Sequence, residues 1–346
     1  MKTIKRNTNI ELLRIISMIL IIMHHYSIHG DFDFSNDLTI NKIVVQLLAM
    51  GGKLGVNLFI LITGYFMINS SFTLKKLIKI VLEVQFYSIL FAFIFMCFGL
   101  SDFNIKELIK SIFPLIFSRY WFATNYVLLY LLSPFINKFL TSIEVDVYNR
   151  LLGVVIFIWV IIPTFTGAEF GLSNLVWFIV VYSFGAYFKL YSSKYVENNR
   201  LNLIIAFITY AMILLSVILF NLLGLKIAFF GSNATYFMAY NKLPLVVCSV
   251  TLFLGFKGMK IKNNKFINII ATSIFSVYLI HDNYFMRPFI WNSIFKNRNY
   301  QDSPLLIIHA MCTIFIVFVC CIAIDQTKKI TYDKWLMKII EKTCSV

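Results

Sequence analysis

Three of the five histidines in the chain stand together. His24, His25 and His29 close a long apolar run that opens with Glu11-Leu12-Leu13-Arg14. An imidazole titrates near working pH and can take and return a proton, whereas a guanidinium stays charged and holds phosphates. On a helix, Arg14 and His25 fall within about 20° of the same direction and ~16 Å apart along the axis. Glu11, Arg14, Met18, Ile22, His25 and His29 then share one stripe, and His24 is turned about 80° from Arg14. A fixed cation near one end and a base near the other suits a reaction joining two compartments. The cation would hold a phosphate-bearing donor, and His25 would act as general base deeper in. The plainer alternative for Arg14 is that it snorkels to lipid headgroups while paired with Glu11.

His24-His25-x3-His29 also looks like a histidine box, because imidazoles four apart share a helix face. Membrane di-iron sites need several such boxes. The remaining histidines, His281 and His309, are isolated, so no metal is expected.

The elements that position these residues follow from composition. The chain has 346 residues, of which 60% are hydrophobic and 14% charged, with a mean hydropathy of +0.81. Soluble domains are nearer 45–50% apolar and about 25% charged. An ordinary cytosolic enzyme, a disordered chain and a disulfide scaffold are excluded, and an all-α integral membrane protein is expected. Ten apolar stretches read as spans, near 10–29, 43–68, 77–100, 121–140, 151–167, 172–191, 201–223, 236–256, 266–286 and 304–325. The fifth is short and ends at Pro163. The amphipathic stretch 105–117 is expected at the membrane surface. No linker or appended soluble region is visible, so residues 1–346 read as one membrane domain. The first apolar run is too long for a signal-peptide core and reads as a retained span.

The net charge of +15, from 31 Lys and Arg against 16 Asp and Glu, reads as orientation rather than nucleic-acid binding. Twenty of the 31 basic residues fall in segments that lie inside if the N-terminus is cytoplasmic, and eight in outside ones. That bias places both termini in the cytoplasm. Arg14, Lys53 and Lys242 remain at or within spans. The six cysteines form no CxxC pair near histidines, and most read as small apolar fillers.

Ionisable groups inside spans are costly and are functional candidates by default. The second span carries Gly55 and Gly64, which admit close neighbours, and Asn57 and Thr63, which can hydrogen-bond within a bundle. Arg119-Tyr120-Trp121-Phe122 opens the fourth span, where Trp121 is either an interfacial anchor or a sugar platform. Ser276-Val277-Tyr278-Leu279-Ile280-His281-Asp282 closes the ninth. Tyr278 and His281 are helix neighbours, and Asp282 can orient a histidine. Glu83, in the third span, has Lys79 one turn away as a possible partner.

Taken together, these residues resemble the family-3 membrane acyltransferases of bacteria, which O-acylate extracytoplasmic glycans. Arg14 and His25 look like the family's Arg-x10-His signature. Gly55-Val56-Asn57-Leu58-Phe59 through Thr63-Gly64-Tyr65-Phe66 is similar to its second-span motif, which more often has Phe-Phe and Ser-Gly. Trp121-Phe122 with Tyr126 to Pro134 resembles the tryptophan segment, and Ser276 to His281 the late Tyr-Leu-x-His. The fused esterase-like domain of many members is missing, which implies the stand-alone class acting on capsule, exopolysaccharide or related surface glycans.

The resemblance implies acyl-CoA, usually acetyl-CoA, as co-substrate, with no permanently bound cofactor. It also implies the bacterial cytoplasmic membrane as location, and a polysaccharide or lipid-linked glycan as acceptor. Arg14 and Glu11 would serve donor binding and His25 catalysis. His24, His29, Asn57, Tyr65, Trp121, Tyr278 and His281 are possible supporting polar groups, with Asn57, Tyr65 or Tyr278 able to donate to an oxyanion. Direct attack and an acyl-histidine relay both remain open. So do two other functions: export of surface polysaccharide by the same helices, and a non-catalytic membrane scaffold. Membrane lipids are expected partners and nucleic acid is not. Oligomeric state is not legible in the sequence.

Overall fold

The computed structural model describes residues 7–34, 38–191 and 198–333. Lys2, Lys5, Arg6, Lys194, Lys334, Lys338, Lys342 and Cys344 lie outside them. The described residues are helical, without a strand. In chain order the α-helices are α1 (Thr8–Ile28), α2 (Ile40–Met67), α3 (Leu74–Cys97), α4 (Ile105–Ile112), α5 (Trp121–Ser142), α6 (Val145–Ile156), α7 (Ile162–Thr166), α8 (Asn174–Leu190), α9 (Asn199–Gly224), α10 (Ala228–Ser232), α11 (Leu243–Gly258), α12 (Lys265–Ala271), α13 (Ile274–His281), α14 (Met286–Pro288) and α15 (Leu306–Lys328). Side-chain caps fix several starts: Thr39 accepts from Lys42 N in α2, and Asn104, Ser173, Asn198 and Asn264 do the same for α4, α8, α9 and α12.

All ten expected spans coincide with helical stretches. Seven of these are long and apolar enough to cross a membrane. The fourth (α5), sixth (α8) and ninth (α12 with α13) do not reach that standard. The fifth is longer than expected: a π-turn at Phe157–Ile161 joins α6 to α7, and the run continues past Pro163 to Thr166. Pro163 sits in the first turn of α7, where its missing N–H costs little.

The ninth span is broken. At Thr272 and Ser273 the backbone tightens to i→i−3 hydrogen bonds. Side chains of α15 hold the break: Gln326 Nε2 donates to Ser273 Oγ at 2.7 Å, and Lys329 Nζ, just past α15, to Thr272 Oγ1 at 2.8 Å. Glu83 accepts from Ser276 Oγ at 2.6 Å, so its hydrogen-bond partner comes from α13 rather than from Lys79.

Helix α1 lies in the middle of the bundle, packed on α2, α11, α12, α13 and α15. Glycine makes these approaches close. A Cβ at Gly51 would run into the Leu20 carbonyl, and Gly64 and Gly185 let α2 and α8 meet backbone to backbone. Outward faces are apolar instead of polar: Phe207, Met212 and Leu215 on α9, and Ile308, Met311 and Phe315 on α15, are exposed. That is the pattern of a bundle solvated by lipid. α4 also exposes Ile105 and Ile109, as a surface amphipathic helix does. The five cysteines among the described residues are free.

Candidate functional site

One cavity of about 670 Å³ runs beside α1. Near the N-terminal end of α1 its wall includes Arg14, Lys76, Lys79 and Glu83. Further along it includes His24, His25, His29, Lys53, Trp121, Tyr278, Asp282 and Arg287. Arg14, Met18, His25 and His29 of the expected stripe face it, while Ile22 is packed away and Ile21 takes its place on the wall. Arg14 pairs with Glu11 at 3.3 Å and is about one-third exposed. Glu11 itself is buried behind it.

His25 is the centre of a chain of contacts between α1 and α13. His281 Nδ1 lies 2.6 Å from the Val277 carbonyl oxygen, and His281 Nε2 lies 2.9 Å from His25 Nδ1. A carbonyl only accepts, so His281 Nδ1 carries a proton. In neutral His281 the other nitrogen is then an acceptor, and it takes a hydrogen bond from His25 Nδ1–H. That leaves His25 Nε2 as the unprotonated nitrogen, with no hydrogen bond to any described residue. His25 Nε2 is thereby left as a free acceptor.

Asp282 adds a negative charge beside it. Its Oδ1 lies 3.7 Å from both His25 Nδ1 and His29 Nε2, and accepts from Arg287 Nε at 2.8 Å. Its Oδ2 is buried without a hydrogen-bond partner. The ligating atoms of His25, His29 and Asp282 lie within 4.8 Å of one another, which makes them the one cluster of metal-ligand type among the described residues. Arg287 already pairs with Asp282 there, placing a positive charge beside the cluster.

The family-3 acyltransferase domain model matches residues 7–325, from the cap of α1 into α15. The chain belongs to the family-3 acyltransferases. With its apolar helices, it is a multi-pass membrane acyltransferase. No curated protein and no solved structure matches it.

The acyltransferase sorts the other expected polar residues into two groups. Trp121 and Tyr278 line the cavity, and the buried Tyr278 hydroxyl makes no hydrogen bond. His24 also touches the cavity, but its Nδ1 donates to the Ala49 carbonyl at 2.6 Å, tying α1 to α2. Asn57 is not on the wall. It donates to the Tyr240 carbonyl at 2.9 Å and accepts from Trp177 Nε1 at 2.9 Å, joining three elements. Tyr65 is not on the wall either, and its ring lies under Lys189 and Lys257. His309 bonds Tyr26 and the Phe295 carbonyl and stacks on Tyr300, away from the cavity.

Two wall residues, Arg287 and Lys53, are not among the site residues named from sequence, while Asp282 reads there as able to orient a histidine. The sequence does not show that Arg287, five residues on, pairs with Asp282. Lys53 carried a signal, since it is a cation in the middle of an apolar span with no acid within a turn.

Proposed function

We propose that this acyltransferase moves an acyl group, in the first instance acetyl, from cytoplasmic acyl-CoA to a hydroxyl of a cell-surface or lipid-linked polysaccharide across the bacterial cytoplasmic membrane. The observation that carries the reading is the position of His25. Its imidazole, with Nε2 left as acceptor, lines a single cavity that starts among Arg14, Lys76 and Lys79. The N-terminal end of α1 is taken as cytoplasmic because the basic residues are biased to that side.

In this scheme the CoA phosphates meet Arg14, Lys76 and Lys79, and the pantetheine arm lies along Met18 and Ile21 toward His25. The acceptor hydroxyl approaches from the far side. As its oxygen bonds to the thioester carbon, its proton passes to His25 Nε2. The carbonyl π pair moves onto oxygen, where the unpartnered Tyr278 hydroxyl is the available donor. Collapse of that intermediate breaks the C–S bond, and the thiolate leaves, taking the proton from the imidazolium. Asp282 stabilises the imidazolium while it exists. His281 does not touch the reacting atoms and acts as a positioning residue, holding His25 in the tautomer that can accept a proton.

The test uses oriented proteoliposomes with carbon-13-labelled acetyl-CoA on one side and the host glycan on the other. Ester-linked acetate seen by NMR only when the donor is supplied at the α1 N-terminal side is the expected outcome. Glycan that crosses the membrane without gaining ester would overturn the reading in favour of export.

A further inference from the structure

Several cations in and near the spans are paired with carboxylates among the described residues. Arg14 has Glu11, Arg287 has Asp282, Arg119 has Glu107 and Lys329 has Asp325. Lys242 is buried, donates to the Pro163 carbonyl at 2.8 Å and lies over the Tyr236 ring. Lys53 lies halfway along α2 on the cavity wall. It has no hydrogen bond or ion pair among the described residues. Its ammonium meets two aromatic faces instead, 5.5 Å from the centre of Trp121 and 5.6 Å from that of Tyr240. Its neighbour Gly52 packs directly on His24, so Lys53 sits at the histidine level of the cavity, well beyond Arg14 along α1.

A charge kept out of bulk water without a counter-ion is expensive, and such groups mark ligand paths. Two ring faces offset only part of that cost. The phosphates of an acyl-CoA would be met at the opposite end, by Arg14, Lys76 and Lys79. Lys53 therefore has a different anion to bind, beside an aromatic surface at the acceptor's end of the cavity.

We propose that Lys53 is the counter-charge for an anionic group carried by the acceptor, so that the enzyme prefers an acidic glycan. This rests on the acyl-transfer reading above. The anion has two chemical sources, a uronate carboxylate on the sugar or the phosphate of a lipid-linked glycan, and both would meet the ammonium in the same way.

The experiment compares wild type, Lys53→Met and Lys53→Arg in proteoliposomes with acetyl-CoA. Four acceptors are used: a uronate-bearing oligosaccharide, its carboxyl-reduced counterpart, and each of these linked to polyprenyl diphosphate. Direct binding of each acceptor is measured by equilibrium dialysis alongside the kinetics. Lys53→Met is expected to raise KM and Kd at least tenfold for the anion-bearing acceptors. The KM for acetyl-CoA and the rate on the neutral free acceptor should stay unchanged, and Lys53→Arg should keep most of the preference. Loss confined to the uronate pair assigns the carboxylate, and loss confined to the lipid-linked pair assigns the phosphate.

An equal fall in kcat on charged and neutral acceptors would overturn the proposal, since Lys53 would then act on the reacting oxygen. So would a wild type that treats all four alike. If Lys53→Met fails to fold, the wild-type preference and the Lys53→Arg values decide. A wild type that acylates no glycan at all would instead overturn the acyl-transfer reading.

Discussion

The two ends of α13 are both polar and both buried, yet they are built differently. At its start, Ser273 accepts from Gln326, Ser276 donates to Glu83, and Asp325 on the facing helix accepts from Tyr87 Oη at 2.9 Å and pairs with Lys329. Each of these side chains has a partner, and the links tie α3, α13 and α15 together. At its end, Tyr278 Oη, Asp282 Oδ2 and His25 Nε2 have none. A satisfied buried network fixes architecture. An unsatisfied one against a cavity keeps atoms free for substrate. On the proposed reading, one end of the helix serves stability and the other serves the chemistry.

Substitutions should separate the two ends. His25→Ala is expected to lower the acyl-transfer rate by ~10²–10⁴-fold, the range for loss of a general base, with the melting temperature near that of wild type. Tyr278→Phe removes the proposed oxyanion donor and should cost ~10²-fold or more in kcat, read with the KM for acetyl-CoA unchanged. His281→Ala frees the tautomer of His25. A loss of roughly tenfold to a hundredfold is expected, the size found for groups that orient a working imidazole. Its distinguishing sign is a changed pH profile of kcat, which a purely structural defect would not produce.

At the other end, Asp325→Asn should lower stability by about 2 kcal/mol, because it removes the buried carboxylate charge that Tyr87 and Lys329 share. Activity per folded molecule should be retained. If Asp325→Asn instead abolished activity in protein of normal stability, the division between the two ends would fail.

The smallest expected effect lies outside both ends. Hydrogen bonding to Lys110, together with the Arg119 guanidinium, holds the Glu107 carboxyl below its usual range. A depressed carboxyl contributes stability above its unfolded value and loses it as pH falls through the folded one. Glu107→Gln should therefore cost at most about 1 kcal/mol at neutral pH and nothing in strong acid, measured by thermal unfolding across pH.

Much of this was legible in the sequence where the relation was local. One helix carries Arg14, Met18 and His25, so period alone set them on one face, and the same period turned His24 away, toward the Ala49 carbonyl. Hydropathy located ten helical stretches. It could not show the break at Thr272 and Ser273, because that break is made by Gln326 and Lys329, which arrive from another helix. Pro163 looked like an end because the π-turn before it leaves no mark in composition. Asn57 read as a possible oxyanion donor, yet its amide is consumed by Tyr240 and Trp177. The pairing of His25 with His281 spans most of the chain and needed the tertiary structure. Lys53 was visible as a cation within an apolar span, but its place between Trp121 and Tyr240 without an ion pair needed the tertiary structure.

The central claim is that His25 takes the acceptor's proton during acyl transfer. Its most direct test is a single-turnover measurement with carbon-13 acetyl-CoA and glycan, comparing wild type with folded His25→Ala. The account predicts ester-linked acetate on the glycan within one turnover for wild type, and none on that timescale for the variant, although the variant still binds acetyl-CoA. Ester formed by His25→Ala at the wild-type rate would contradict it.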